Sequence, residues 1–165
     1  SPHNIHIGKI VDLDLAAWRT NFKANLDAVF LATKTVLPWM IDAKKGSIVN
    51  VASVVGLKGV AYMSAYGAAK AGLINFSRAS AVEAAPFVRV NCIIPGAVLT
   101  PATERAIPDE AIMEATIKTI PLKRIAQPVE LASPIAFLLS SDSSFVTGAS
   151  LVVDGGKTAD LNAGN

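Results

Sequence analysis

The stretch SAYGAAK, residues 64–70, places a tyrosine and a lysine four positions apart. On a helix, residues i and i+4 lie one above the other on the same face, so Tyr66 and Lys70 would be neighbours. An ammonium group beside a phenol favours the phenolate and lowers the pKa of the phenol from its usual value of about 10. The side chains around the pair are small enough to let a flat molecule approach: Ala65, Gly67, Ala68 and Ala69. The pair therefore predicts a proton-transfer group, and its structural alternative is a core tyrosine beside a solvated lysine.

Two helices are predicted in the first half of the chain. Apolar residues at steps of three and four predict a helix over 16–41, in which Pro38 bends or ends the last turns. The tyrosine and lysine open a second helix over 64–85, with Ser64 as its N-cap and Pro86 as its stop. The proton-transfer pair thus belongs to the first turns of a long helix.

Three apolar, β-branched segments predict strands over 46–53, 88–94 and 149–156. A third helix is predicted over 128–140, while the polar, proline-interrupted residues 101–119 indicate a loop with short helices. Strands that alternate with helices of this length predict an α/β fold with a parallel sheet.

The candidate residues converge on one edge of that sheet. The first strand ends at Ser53 and the second at Pro95 and Gly96, and ligands of parallel sheets bind beyond the carboxyl ends of the strands. Tyr66 and Lys70 open the helix between these two strands. We therefore expect one site built from three separate stretches of chain.

Composition excludes several other classes of protein. The 165 residues carry a net charge of +2 and no long basic run, which does not favour nucleic acid or an anionic membrane surface as a partner. No apolar run is long enough for a membrane span. The single cysteine, Cys92, excludes a disulfide framework and indicates the cytoplasm. His3 and His6 have no cysteine or acidic cluster beside them, so no metal site is predicted.

The ordered set of motifs resembles the short-chain dehydrogenase/reductase family, in its single-domain branch. The chain carries a YxxxK motif at Tyr66, the stretch RVNCIIPGAVLT with its N-x-x-x-PG-x-x-x-T pattern, and FVTGASLVVDGG near its end. Matched position by position, the resemblance implies a catalytic set at these residues: Asn25, Ser53, Tyr66 and Lys70. It implies cofactor contacts at these residues: Tyr66, Lys70, Pro95, Gly96, Val98 and Thr100.

The resemblance also assigns a role to each side chain. Tyr66 would act as general acid and base, and Lys70 would bind the nicotinamide ribose. Ser53 would hold the substrate oxygen, and Asn25 would anchor a water that relays protons to the lysine. Thr100 would bind the carboxamide. The structural alternatives are a solvated lysine, a turn-capping serine, an exposed helix asparagine and a capping threonine.

One segment typical of the family does not occur in these 165 residues, namely the TGxxxGxG turn that holds the pyrophosphate. We therefore expect residues 1–165 to form a single, partial Rossmann-like domain. It would be the C-terminal, catalytic part of a doubly wound parallel sheet, with about three strands and flanking helices, and would lack the phosphate-binding half. The strand over 46–53 would then have an open apolar edge, through which we expect the chain to associate.

The function implied by the resemblance is an oxidoreductase that uses NAD or NADP to interconvert a small alcohol and its ketone. The alternative is a truncated, inactive relative that only self-associates. A sugar-nucleotide epimerase or dehydratase also uses YxxxK, but the position of VDGG argues against it. The family implies a homodimer or homotetramer through the helices at 16–41 and 64–85. Residues 54–63 and 99–120, which are mostly apolar, would line the substrate pocket.

Overall fold

The computed structural model describes residues 7–101, 103, 107 and 109–160, which fold as a parallel sheet flanked by helices. The strands are β1 (Gly46–Val51), β2 (Val88–Pro95) and β3 (Ser150–Val153), in the order β1-β2-β3. This confirms the predicted α/β class and all three strands. His3 and His6 lie outside the described residues.

Strand β2 lies in the centre of the sheet and is its most buried element. It pairs in parallel with β1, from Val88 opposite Gly46 to Ile93 opposite Val51. It pairs in parallel with β3, from Cys92 opposite Ser150 to Pro95 opposite Val153. Five consecutive residues of β2, from Val90 to Ile94, are fully buried. An apolar, β-branched run of this kind suits a parallel strand that is covered on both faces.

Five α-helices surround the sheet in the described part of the chain. They are α1 (Leu15–Phe22), α2 (Ala28–Asp42), α3 (Ser64–Ala84), α4 (Glu110–Lys118) and α5 (Pro128–Leu139). Helix α3 supplies much of the core, which lies between it and the sheet and includes these buried residues: Ala52, Leu73, Ile74, Cys92 and Ile94. Because α3 follows β1 and returns beside a parallel sheet, its first turns stand at the carboxyl edge of the strands.

The predicted helix over 16–41 is confirmed in extent, but its winding is not regular, because a π-helical turn, Lys23–Asp27, lies between α1 and α2. The side-chain amide of Asn21 donates to the carbonyl of Ala17 over 3.1 Å, and that of Asn25 donates to the carbonyl of Asn21 over 3.0 Å. Asparagine side chains that bind nearby carbonyls in this way compete with regular helical hydrogen bonds.

Two predicted helix signals also need correction. Pro38 does not end its helix, since α2 continues to Asp42; Pro38 is exposed, where water can replace the lost donor. Ser64 is the first helical residue rather than the N-cap, which is Met63 without a side-chain hydrogen bond. Helix α3 does end before Pro86, as predicted.

Strand β1 has a hydrogen-bonded partner on one side only within the part of the chain that the structure describes. Its last residue, Val51, is 47% exposed. An edge of this kind leaves backbone groups free to pair with another strand. Among the described residues, none of the helices is both long and apolar enough to cross a membrane.

Candidate active site

Ser53, Tyr66 and Lys70 meet at the carboxyl edge of the sheet. The Ser53 hydroxyl lies close enough to the phenol of Tyr66 to lower its pKa. The Nζ atom of Lys70 lies 5.7 Å from the centroid of the Tyr66 ring and donates to the carbonyl of Val51 over 3.0 Å. All three side chains are half-buried. The strand end and the first two turns of α3 therefore bring together a phenol, a hydroxyl and an ammonium.

The pKa of Tyr66 is shifted in the opposite direction to the one predicted from the sequence. Burial raises the pKa of the phenol above its usual value, and the hydrogen bond from Ser53 offsets part of that rise. Burial also lowers the pKa of Lys70, against a smaller opposing effect of the Cys92 thiol. The predicted lowering of the phenol pKa is therefore wrong for this arrangement, because desolvation of the phenolate outweighs the effect of Ser53.

The Ser53 hydroxyl also caps a turn. It accepts a hydrogen bond from the backbone N–H of Val55 over 3.3 Å, which opens a short 3₁₀ turn at Val54–Gly56. Its own proton remains available for the Tyr66 phenol, whose pKa it lowers. The turn-capping role and the site role thus coexist in one side chain.

Asn25 lies in the π-helical turn. Its amide donates within its own helix to Asn21, and no hydrogen bond joins Asn25 to Lys70 among the described residues. The turn nevertheless packs against α3, since a Cβ atom at Gly72 would lie 3.1 Å from a methyl group of Leu26. π-Helical turns recur at functional sites. This one packs against α3 at Gly72, two residues after Lys70.

The loop after β2 begins against the turn that follows β3. The N–H of Gly96 donates to the carbonyl of Val153 over 2.9 Å. A Cβ atom at Gly96 would lie 2.8 Å from both Cα and Cβ of Asp154, so this position requires glycine. The Asp154 carboxylate accepts from the N–H groups of Gly156 and Thr158, which lowers its pKa against the effect of burial.

Val98 and Thr100 continue the same loop. Val98 forms a parallel bridge with Ala126. The hydroxyl of Thr100 lies 3.0 Å from that of Thr103 and accepts from the N–H of Thr103 over 3.2 Å. In this structure Thr100 therefore has the capping contact that was its structural alternative, at a half-buried position on the loop.

Two polar pairs near the site were not predicted. The buried amide of Asn50 donates to the Ser77 hydroxyl over 2.9 Å and ties β1 to α3. Arg124 and Glu130 form an ion pair beside the Val98 bridge. A polar residue at the centre of an apolar strand was the available signal for Asn50, whereas nothing local in the sequence relates Arg124 to residues near Val98.

Comparison with known proteins gives independent evidence on the family. Residues 2–158 match the family described as enoyl-(acyl carrier protein) reductase. The chain is 41% identical over 151 residues to a cyclopentanol dehydrogenase from Comamonas sp. (strain NCIMB 9872), covering 91% of this chain and 60% of that protein. It is 45% identical over 149 residues to a cis-4-hydroxycyclohexanecarboxylate dehydrogenase from Sinomonas cyclohexanicum, covering 90% and 59%.

The fold is also that of solved structures. A levodione reductase superposes with a TM-score of 0.93 at 34% sequence identity, covering 98% of this chain and 65% of that one. The chain thus spans about three fifths of the length of the curated relatives it matches.

Proposed function

Because the chain belongs to the short-chain dehydrogenase/reductase family, we propose that it is an oxidoreductase that interconverts a CH–OH group and a carbonyl with NAD or NADP. The observation that carries this proposal is the meeting of Tyr66, Ser53 and Lys70 at the carboxyl edge of the sheet. This edge is where parallel α/β sheets bind their ligands.

The residues present fit the nicotinamide end of such a cofactor. Lys70 uses one N–H at the Val51 carbonyl, so two donors remain for ribose hydroxyls. The Cβ-free Gly96 lets the loop after β2 pass close to Asp154. The residues that would hold the group are Tyr66, Lys70, Pro95, Gly96, Val98 and Thr100. When bound, a nicotinamide supplies or accepts the hydride.

Tyr66 would move the proton. The phenol, whose pKa burial raises, holds its proton at neutral pH and would donate it to a carbonyl oxygen as hydride arrives. Ser53 would bind the same oxygen and stabilise the phenolate left behind. In the reverse direction the phenolate would accept the proton of an alcohol. Asn25, in the π-helical turn, would anchor a water that relays protons to Lys70.

The substrate class we propose is a small, apolar secondary alcohol or its ketone. The loop between Ser53 and Tyr66 presents apolar side chains, with Leu57, Val60 and Tyr62 each about half exposed. The two dehydrogenases compared above are named for a cyclic alcohol and for a hydroxylated cyclohexane ring. We also propose that the protein acts in the cytoplasm, since its lone Cys92 is buried and unpaired.

Self-association through α2 and α3 is a second proposed role, as a homodimer or homotetramer. Exposed apolar side chains on α2 favour it: Phe30, Leu31 and Trp39 are 43%, 56% and 70% exposed. This role would also hold for a chain that does not turn over substrate.

The proposal is tested by replacing each of the two tyrosines with phenylalanine. We expect Tyr66→Phe to lower turnover of small ketones by about two to four orders of magnitude while nicotinamide binding persists. Tyr62→Phe removes a hydroxyl that the proposed proton transfer does not use, so it should lower turnover far less than Tyr66→Phe. In a protein that also carries the phosphate-binding half, full activity of Tyr66→Phe, or a wild-type form that reduces no ketone with NADH or NADPH, would contradict the proposed function.

A further inference from the structure

Arg124 and Glu130 form a two-point ion pair at the surface. The Nη1 and Nη2 atoms of Arg124 each lie 2.6 Å from one carboxylate oxygen of Glu130. The oxygen that faces Nη1 also accepts from the backbone N–H of Gln127 over 2.8 Å. Both partners hold the pKa of Glu130 at about 2. One carboxylate therefore fixes both ends of the segment Arg124–Gln127.

That segment pairs with the loop after β2. The N–H of Ala126 donates to the carbonyl of Ala97 over 3.1 Å, and the N–H of Leu99 donates to the carbonyl of Ala126 over 2.8 Å. These two bonds form the parallel bridge between Ala126 and Val98. The middle of the loop is thus held through Ala126.

Two other contacts hold this loop among the described residues, one at its start and one at Val98. Gly96 is held at the start by Val153, and the carbonyl of Val98 accepts from the hydroxyl of Thr103 over 2.6 Å. A small cavity of ≈ 80 Å³ lies beside Ala97 and Ala126. The side of the loop that faces Ala126 is therefore held by hydrogen bonds next to a cavity.

The ion pair is too exposed to act mainly as a stabiliser. The side chains of Arg124 and Glu130 are 54% and 36% exposed, and exposed ion pairs contribute little to the free energy of folding. Two parallel hydrogen bonds instead give a defined orientation, which a single contact does not. The geometry favours a role in positioning.

We propose that Arg124 and Glu130 are positioning residues for the loop Gly96–Thr100, and that they set the affinity of this loop for a nicotinamide group. The first part stands on the hydrogen bonds alone, and the second rests on the proposed function. Loss of the pair would release Ala126, and the loop would leave the conformation that presents Val98.

Amide hydrogen exchange of the folded protein tests the first part. We expect Glu130→Gln to accelerate exchange at Leu99 and Ala126 by about tenfold, as the loss of a charge-assisted pair predicts. Glutamine keeps an acceptor for Gln127, so the helix start is preserved. The amide of Cys92, bonded to Ala149 in the core over 2.8 Å, should not change.

Matched variants separate positioning from general loss of stability. Glu114→Gln removes the ion pair with Lys118 on α4, whose charged atoms are 4.0 Å apart, and should leave Leu99 and Ala126 unchanged. Arg124→Gln should match Glu130→Gln, and the double variant should be no worse than either. Unchanged exchange at Leu99 and Ala126, equal acceleration at Cys92, or additive effects would overturn the inference.

Binding of reduced nicotinamide mononucleotide, followed by its fluorescence, tests the second part. We expect Glu130→Gln to weaken binding by about fivefold to tenfold and Glu114→Gln to have no effect. Binding that Glu130→Gln leaves unchanged would overturn the role in affinity. A wild-type protein with no affinity for this probe would contradict the proposed function, and the link to affinity would fall with it. The exchange experiment would then still decide the positioning of the loop.

Discussion

The Nζ atom of Lys70 lies 3.0 Å from the carbonyl oxygen of Val51, so the cation of α3 is tied to the last residue of β1. The same atom stands 5.7 Å from the centre of the Tyr66 ring. The hydrogen bond therefore holds the charge at the strand end rather than against the phenol oxygen. This arrangement is consistent with the raised pKa of Tyr66, since the attraction of a more distant, half-buried cation does not offset desolvation.

The first prediction concerns the titration of Tyr66. The chain has two tyrosines, so the absorbance change of the wild-type protein minus that of Tyr66→Phe isolates one phenol. We expect its midpoint above pH 10.0, because burial raises the pKa. The folded state holds this proton more tightly than the unfolded chain. Its contribution to stability is therefore complete below about pH 10 and is lost as pH rises through the raised value. A midpoint below pH 10 would contradict the raised pKa.

The second prediction concerns Ser53→Ala. The Ser53 hydroxyl stabilises the phenolate, so its removal should raise the midpoint of Tyr66 further. We expect a shift of about one pH unit in the same difference titration, as for the loss of one charge-assisted hydrogen bond. Ser64→Ala removes a hydroxyl from the first residue of α3 and serves as the control. A downward shift in Ser53→Ala would show that the hydroxyl does not donate to the phenol.

The third prediction concerns the buried pair of Asn50 and Ser77. Ser77→Ala leaves the amide of Asn50 without its partner in a buried position, which should lower the free energy of unfolding by about 1–3 kcal/mol. Urea denaturation measures this change. The double variant Asn50→Leu with Ser77→Ala should lose less stability than the sum of the single variants. Additive losses would show that the two side chains are not coupled.

The fourth prediction concerns Gly96→Ala. The new Cβ would meet the backbone of Asp154 at 2.8 Å, so either the loop or the turn after β3 must move. We expect a loss of about 1–3 kcal/mol in the free energy of unfolding, the usual cost of overpacking. Gly59→Ala is the matched control, because a Cβ there has no atom within 4 Å. Equal stability of Gly96→Ala and Gly59→Ala would contradict the close approach.

The fifth prediction concerns association. Strand β1 pairs on one side only within the described part, and Trp39 is 70% exposed. We expect sedimentation to show dimers or larger species, and Trp39→Glu to shift the distribution towards the monomer. Ile112→Glu changes a similarly exposed apolar residue on α4 and should leave it unaltered. A monodisperse wild-type monomer would contradict association through either surface.

The strands and α3 could be predicted because their signals are local. In an α/β protein, an apolar β-branched run such as that of β2 forms a buried parallel strand. Pro86 cannot continue a helix, so α3 ends before it. The convergence of Ser53 and Tyr66 followed from topology alone, because parallel strands end at a common edge. The pairing of Ala126 with Val98 depends on where two loops meet in space, and no local pattern records it.

The direction of the Tyr66 pKa could not be predicted for a related reason. The four-residue spacing gives proximity to Lys70, but the sign of the shift depends on how much water reaches the phenol. That quantity is set by β1, by the Val54–Gly56 turn and by α3 together. Similarly, apolar spacing predicted one helix over 16–41, whereas the side-chain amides of Asn21 and Asn25 favour a wider turn within it.

The wide turn at Lys23–Asp27 changes the angular phase of the helix that follows. Each added residue advances a helix by about 100°, so a π turn rotates everything after it relative to a regular α-helix. The apolar face of α2 is therefore rotated relative to that of α1. Deletion of a single residue here would restore regular winding and turn Phe30 and Trp39 away from their present directions, which makes this turn sensitive to length rather than to composition.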